Sequence, residues 1–292
     1  MKKYLIITTC CFLCALFFSP ALAEQNIQLL CPDKTEIGQP FYIKVTSPAP
    51  LEQITLKWLN KTATLDLAAL PEGGVQAIAV LSAGLERSPG RMTLEITAES
   101  GGKSKKLKRT ITILKKEYPT QRLSVDNKFV ALSPEAMKRH EIERKVVQKA
   151  LTTVSRQKLW QYPLLKPVEG RVSSAFGLKR VYNGKAANAH GGLDLAAAEG
   201  APVLAMADGV VLLAVDHYFS GQAVFLDHGQ GLISMYMHLS KISVQEGDMV
   251  RQGQEVGLIG KTGRVTGPHL HFGINILGER TDPLALLNLP CP

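Results

Sequence analysis

The sequence predicts a mainly β chain, in which two β domains are joined by a helical linker. Three observations predict it. Residues 27–114 carry short alternating apolar runs separated by clusters of Gly, Pro and Ser, the pattern of half-buried strands and turns. One stretch, opened by Ser133-Pro134-Glu135, has the chemistry of a helix start. From Pro163 onward the composition shifts to Gly, Val and Ala, and Glu199-Gly200-Ala201-Pro202-Val203 is echoed by Glu246-Gly247-Asp248-Met249-Val250. Two similar elements, each leading into a Gly-punctuated strand, suggest a barrel or sandwich built from similar halves.

At the N-terminus, Lys2 and Lys3 precede an apolar run that ends in Ser19-Pro20-Ala21-Leu22-Ala23. A charged start, a short apolar core and an A-x-A ending describe a secretory signal peptide, residues 1–23, cleaved after Ala23. Its run of roughly 15 apolar residues is short of the ~20 that cross a bilayer. The expectation is an exported chain that is not an integral membrane protein. Neither Cys14 nor Cys31 follows the small residues a lipoprotein signal needs. Export leaves Cys31 and Cys291, one at each end, either as one disulfide or as two thiols. Losing two lysines and no acids lowers the net charge from +9 to about +7, which favours anionic envelope polymers. Scattered basic residues and export both argue against nucleic acid.

The first domain is placed at residues 25–115, with strands over 41–45, 53–59, 75–81, 92–98 and 107–114. Five short strands at this spacing fit a small β-sandwich of immunoglobulin-like type, although no Cys-Trp-Cys pattern is present. The basic run from Lys103 to Arg109 reads as a solvated hairpin and strand. Residues 116–162 form the linker. Ser133 is its N-cap and Pro134 its first helical residue, and Met137, Ile142, Val146 and Ala150 recur at helical spacing. His140-Glu141 does not open an H-E-x-x-H zinc helix, because the fifth position is Arg144; His140 reads as a surface residue. The second domain, residues 163–292, has strands over Pro202–Leu204, 209–215, 222–226, 232–237, 256–259 and Leu270–Ile276.

Chemistry concentrates in the second domain. His269 and His271 lie one residue apart at the start of a strand, so both side chains point to one face. With His190, Asp194 and His238 they supply four imidazoles and one carboxylate, enough for a three-ligand zinc site with two further histidines beside it. His228 reads as shaping a strand-to-turn junction, and His217 as a loop residue at the cleft rim. Tyr182 is a weaker contender for an oxyanion donor.

Six motifs then appear in order: Ser174-Ala175-Phe176-Gly177, His190-Gly191-Gly192-Leu193-Asp194, Gly200-Ala201-Pro202-Val203, Asp208-Gly209-Val210-Val211, Tyr236-Met237-His238-Leu239-Ser240 and Thr266-Gly267-Pro268-His269-Leu270-His271-Phe272. From about Gly170 to Leu287 the chain resembles the LytM/lysostaphin-type zinc metallopeptidases, whose catalytic domain has the duplicated hybrid motif fold of barrel-sandwich type. The resemblance implies one Zn2+ per chain, held by His190, Asp194 and His271, with His238 and His269 as catalytic residues. It implies a zinc-activated water attacking a scissile carbonyl in the peptides of bacterial peptidoglycan. The implied location is the periplasm of a Gram-negative bacterium, or otherwise the cell wall or the medium. The N-terminal domain, in which no residues suggest chemistry, would meet the wall or an envelope protein partner, or shield the cleft. Two other classes compete. A non-catalytic activator of other wall hydrolases would have lost metal ligands, and all five positions are filled here. A biotinyl- or lipoyl-type carrier needs an exposed Lys flanked by Met, and Lys261 lacks such neighbours.

Overall fold

The computed structural model of the chain describes residues 26–290. The expected signal peptide and Cys291 lie outside the described residues; Cys31 is half-buried. No helix among the described residues is long and apolar enough to cross a membrane.

The chain is mainly β, as its turn-punctuated pattern predicts. The N-terminal region folds into two sheets. One has the strand order Gln28–Leu30, Pro40–Ser47, Val75–Ser82, Ala68–Ala69; the other has Lys34–Glu36, Lys103–Leu114, Gly90–Ser100, Gln53–Trp58, Lys61–Leu65. Period-2 alternation puts Ile43, Val45, Ala79 and Leu81 of the first sheet, and Ile54, Leu56, Leu94 and Ile96 of the second, into one buried core. Trp58 ties the two together: its ring meets Phe41 edge-on at 5.6 Å, and its indole N–H donates to the carbonyl of Ser82 at 2.7 Å. The basic run lies on the outward-facing hairpin strand, turning at Gly101-Gly102. Both glycines have positive φ (56° and 70°), the backbone a tight two-residue hairpin requires.

The linker holds more structure than the sequence suggests. Thr120–Leu123 forms a strand paired in parallel with Lys179–Tyr182, so the linker extends the C-terminal region. The helix runs Pro134–Leu151, with the Ser133 hydroxyl accepting from the Ala136 N–H at 3.2 Å. Of its expected apolar stripe, only Ala150 lies on the packing face. Met137, Ile142 and Val146 are exposed, and the helix packs through Val147, Ala150 and Leu151 against Leu213, Phe225 and Met235.

The C-terminal region is organised around the strand Leu232–Ile242, which pairs with Gly221–Asp227 on one side and Leu270–Ile276 on the other. Pairing with Leu270–Ile276 ends at Met237, and pairing with Glu255–Ile259 begins at Leu239. His238 sits between, at φ 65°, and its N–H donates to the carbonyl of Ser220. The two echoed elements both enter this sheet system: Pro202–Leu204 pairs with Glu255–Ile259, and Met249–Val250 with Gly209–His217.

Both regions share one continuous core. Glu279 is buried where they meet, accepting from Arg87 Nε at 3.1 Å and from the Gly84 N–H at 2.9 Å. A backbone bond from Asp282 N–H to the carbonyl of Gly38, 2.8 Å, adds to the joint.

Candidate active site

The sheet register assembles the site. His271 lies directly opposite Asp194 on the neighbouring strand Leu193–Ala196, and opposite Met237 on its other side. Cross-strand pairs bring Cβ atoms within about 5 Å, so the ladder itself sets a carboxylate against an imidazole. His190 precedes that strand by one turn of loop. Gly192 has to be a glycine in this loop: a Cβ there would sit 2.6 Å from His271 Nε2 and 2.6 Å from the carbonyl of Phe272.

His190 Nε2, Asp194 Oδ1 and His271 Nδ1 converge at 2.9–3.0 Å from one another. All three residues are buried or nearly so. The His190 Nδ1 proton goes to the carbonyl of Ala175 at 2.7 Å, which leaves a lone pair on Nε2 facing a carboxylate oxygen and a second imidazole nitrogen. Three lone-pair donors closing on one point fit a cation, and two imidazoles with one carboxylate fit zinc with a coordination position left open. Burial opposes ionisation of Asp194, yet the closely placed His190 and His271 imidazoles hold its carboxyl well below the usual range. Burial lowers the His271 imidazole to about 4, with the neighbouring Asp194 acting the other way.

His238 and His269 complete the constellation. Their rings lie 5.0 Å apart, and the His238 ring lies 5.9 Å from that of His271. Each gives its Nδ1 proton to a backbone carbonyl, Thr262 for His238 and Gly267 for His269, both at 2.8 Å. Each therefore turns a free Nε2 into the cleft; that of His269 lies 3.8 Å from Asp194 Oδ1. Burial, then the neighbouring His271 and His269, lower His238 to about 3, so it stands neutral at neutral pH. The five residues expected from the sequence thus come together around one cleft of about 710 Å³.

Other residues at the site carry no sequence signal. Arg180 is buried, and its Nη2 donates to Asp194 Oδ2 at 3.1 Å and to the Ser174 hydroxyl at 3.0 Å. Ser174 in turn donates to Gln121 of the linker strand. An arginine in Lys179–Tyr182 is unremarkable as text; only the fold shows that it grips the outer oxygen of Asp194. His140 corrects its surface reading: it is half-buried, edge-on to Phe219 at 4.7 Å, and lines the cleft. Tyr182 lines the cleft beneath Arg264. His217 ends the strand Gly209–His217, beside the linker helix. His228 is wholly buried, bonded to the carbonyl of Asp208 and to the Ser234 hydroxyl, both at 2.7 Å, so it pins a turn.

The comparisons agree with this geometry. The Peptidase family M23 profile matches residues 188–283, which contain all five histidine and aspartate positions. The chain is 40% identical over 121 residues to the peptidoglycan DD-endopeptidase ShyA of Vibrio cholerae, and 41% identical over 122 residues to the DD-carboxypeptidase/endopeptidase Mpg of Neisseria meningitidis. These matches cover 41% and 42% of this chain but only 28% of the length of each relative. A crystal structure of a Pseudomonas aeruginosa protein assigned to peptidase M23 superimposes with a TM-score of 0.62 at 30% identity, covering 81% of this chain and 88% of that one. With a likeness of that extent and the family's profile falling on the assembled cleft, the chain belongs to peptidase family M23.

Proposed function

We propose that this chain is an exported zinc endopeptidase that hydrolyses peptide cross-links of bacterial peptidoglycan. The observation that carries this reading is the convergence of His190, Asp194 and His271, with the free Nε2 atoms of His238 and His269 facing the same cleft. The activities for which ShyA and Mpg are named support this substrate class. Residues 1–23 supply the export signal, and the periplasm of a Gram-negative cell is the compartment in which this substrate is met. Residues 163–292 form the catalytic unit, and residues 25–115 hold it against the wall or an envelope protein.

His190, Asp194 and His271 would hold the zinc, which when bound supplies a Lewis acid that polarises water and the scissile carbonyl. Arg180 turns the Asp194 carboxylate so that Oδ1 faces the two imidazoles. His238 and His269 handle the protons. Because both Nδ1 protons are committed to backbone carbonyls, each Nε2 is presented as an acceptor. One takes a proton from water and, as the imidazolium, gives it to the leaving nitrogen, while the other, when it holds a proton on Nε2, donates to the developing oxyanion. Incubating the zinc-loaded protein with purified peptidoglycan fragments, with and without chelator, tests the reading by product mass. New peptide ends that vanish with chelator are expected; unchanged fragments under both conditions would refute it.

A further inference from the structure

One cationic group in the cleft has no role in the chemistry above. Arg264 lies in the loop between Thr262, whose carbonyl fixes His238, and His269. Its backbone N–H is anchored to the carbonyl of Phe219 at 2.9 Å. The guanidinium is held between two rings, 4.4 Å from the centroid of Tyr182 and 4.6 Å from that of Phe219. Stacking on aromatic faces holds the plane of an arginine while leaving its N–H edge for a partner. Among the described residues no carboxylate forms an ion pair with it. The one acid lining the cleft is Asp194, already bonded to Arg180, His190 and His271. Burial disfavours the charge of Arg264, with nearby Arg180 acting the same way, so an anion at this end of the cleft would stabilise it.

We propose that Arg264, with the Tyr182 hydroxyl, binds a carboxylate that the substrate bears on the carbon attached to the scissile nitrogen. The proposal rests on the peptidase reading of the same cleft and specifies its substrate class. In a D-alanyl–diaminopimelate cross-link, the amide nitrogen is attached to a carbon carrying a free carboxylate. A terminal D-alanyl-D-alanine has the same arrangement. Inside a glycine bridge that carbon carries an amide carbonyl instead. A planar arginine fork matches a carboxylate with two parallel N–H···O bonds and discriminates strongly against a neutral amide. Arg264 therefore selects cross-links and peptide ends that carry this carboxylate and rejects polyglycine.

The test uses two cross-linked peptides that differ only in this group, free carboxylate against carboxamide. Cleavage by the zinc-loaded full chain is read as kcat/KM, and binding is read in parallel by calorimetry on His269→Ala. Wild type should favour the free acid by on the order of 10- to 100-fold, the range for a hydrogen bond to a charged group. Arg264→Gln should collapse that ratio towards one, and Arg264→Lys should keep part of it. Equal rates and equal binding for the two peptides, or a ratio unchanged in Arg264→Gln, would overturn the carboxylate site while leaving the peptidase reading intact. Tighter binding of the free acid with neither peptide cleaved would overturn the peptidase reading and keep the site. No cleavage of either peptide by wild type together with no binding of either to His269→Ala would overturn both.

Discussion

At the scale of single residues, the site depends on which atoms are already committed. Arg180 occupies Asp194 Oδ2, so Oδ1 alone is presented to the imidazoles. Groups that orient a metal ligand from behind typically contribute 10- to 100-fold in metal affinity. Arg180→Ala should therefore weaken zinc binding by about that factor in a competition titration, and Arg180→Lys should recover part of it. An unchanged affinity would show that the carboxylate is positioned by the sheet alone. His228 gives a separate prediction for stability. Burial lowers its imidazole to about 4, against about 6.5 in an unfolded chain. Between these values the unfolded chain binds a proton that the folded one refuses, so stability falls as pH drops from 6.5 towards 4. The loss from this group is roughly 3 kcal/mol. Denaturant unfolding at pH 7 and pH 4.5 should show a smaller pH-dependent loss in His228→Gln than in wild type.

At the scale of elements, the legible part of the sequence was what alternation and turn chemistry control. The strands Pro202–Leu204 and Leu270–Ile276 fall where the period-2 pattern puts them, as does the Ser133-capped helix. What the sequence does not carry is who packs against whom. Short strands such as Arg171–Ser174 and Lys179–Tyr182 are too polar and too brief to alternate visibly, and they exist because neighbours complete their hydrogen bonding. The helix shows the same limit: helical spacing picks out Met137, Ile142, Val146 and Ala150, but contact with Leu213 and Phe225 keeps only Ala150 of these and adds Val147 and Leu151. Ile142→Gln should change unfolding free energy by no more than about 0.5 kcal/mol. Ala150→Leu, forced into a packed contact, should cost about 1–3 kcal/mol. The reverse order would place the helix the other way round. The candidate site was legible because its five residues sit in compact motifs, whereas Arg180, Arg264 and His140 reach the cleft only through tertiary contacts.

At the scale of the whole molecule, the N-terminal sheets are docked, not tethered. Glu279 is buried at the joint, and Arg87 and the Gly84 N–H both donate to its carboxylate. Because Arg87 is partly exposed, Arg87→Ala should cost about 2 kcal/mol of stability, below the range for a fully buried pair. It should leave zinc content unchanged; a loss of zinc would mean that the joint and the metal site are coupled. The linker strand Thr120–Leu123 reaches the candidate metal site through Gln121, Ser174 and Arg180, so cutting the chain after the N-terminal region would disturb the cleft it is meant to isolate. Point variants of the full chain are the cleaner probe. The central claim is the division of labour among five residues, and zinc content measured beside cleavage rate for the five alanine variants tests it most directly. His190→Ala, Asp194→Ala and His271→Ala should lose zinc and activity together. His238→Ala and His269→Ala should keep close to one zinc per chain while turnover falls by about 10²–10⁴-fold. Loss of the metal from His269→Ala with its retention in His271→Ala would contradict the account.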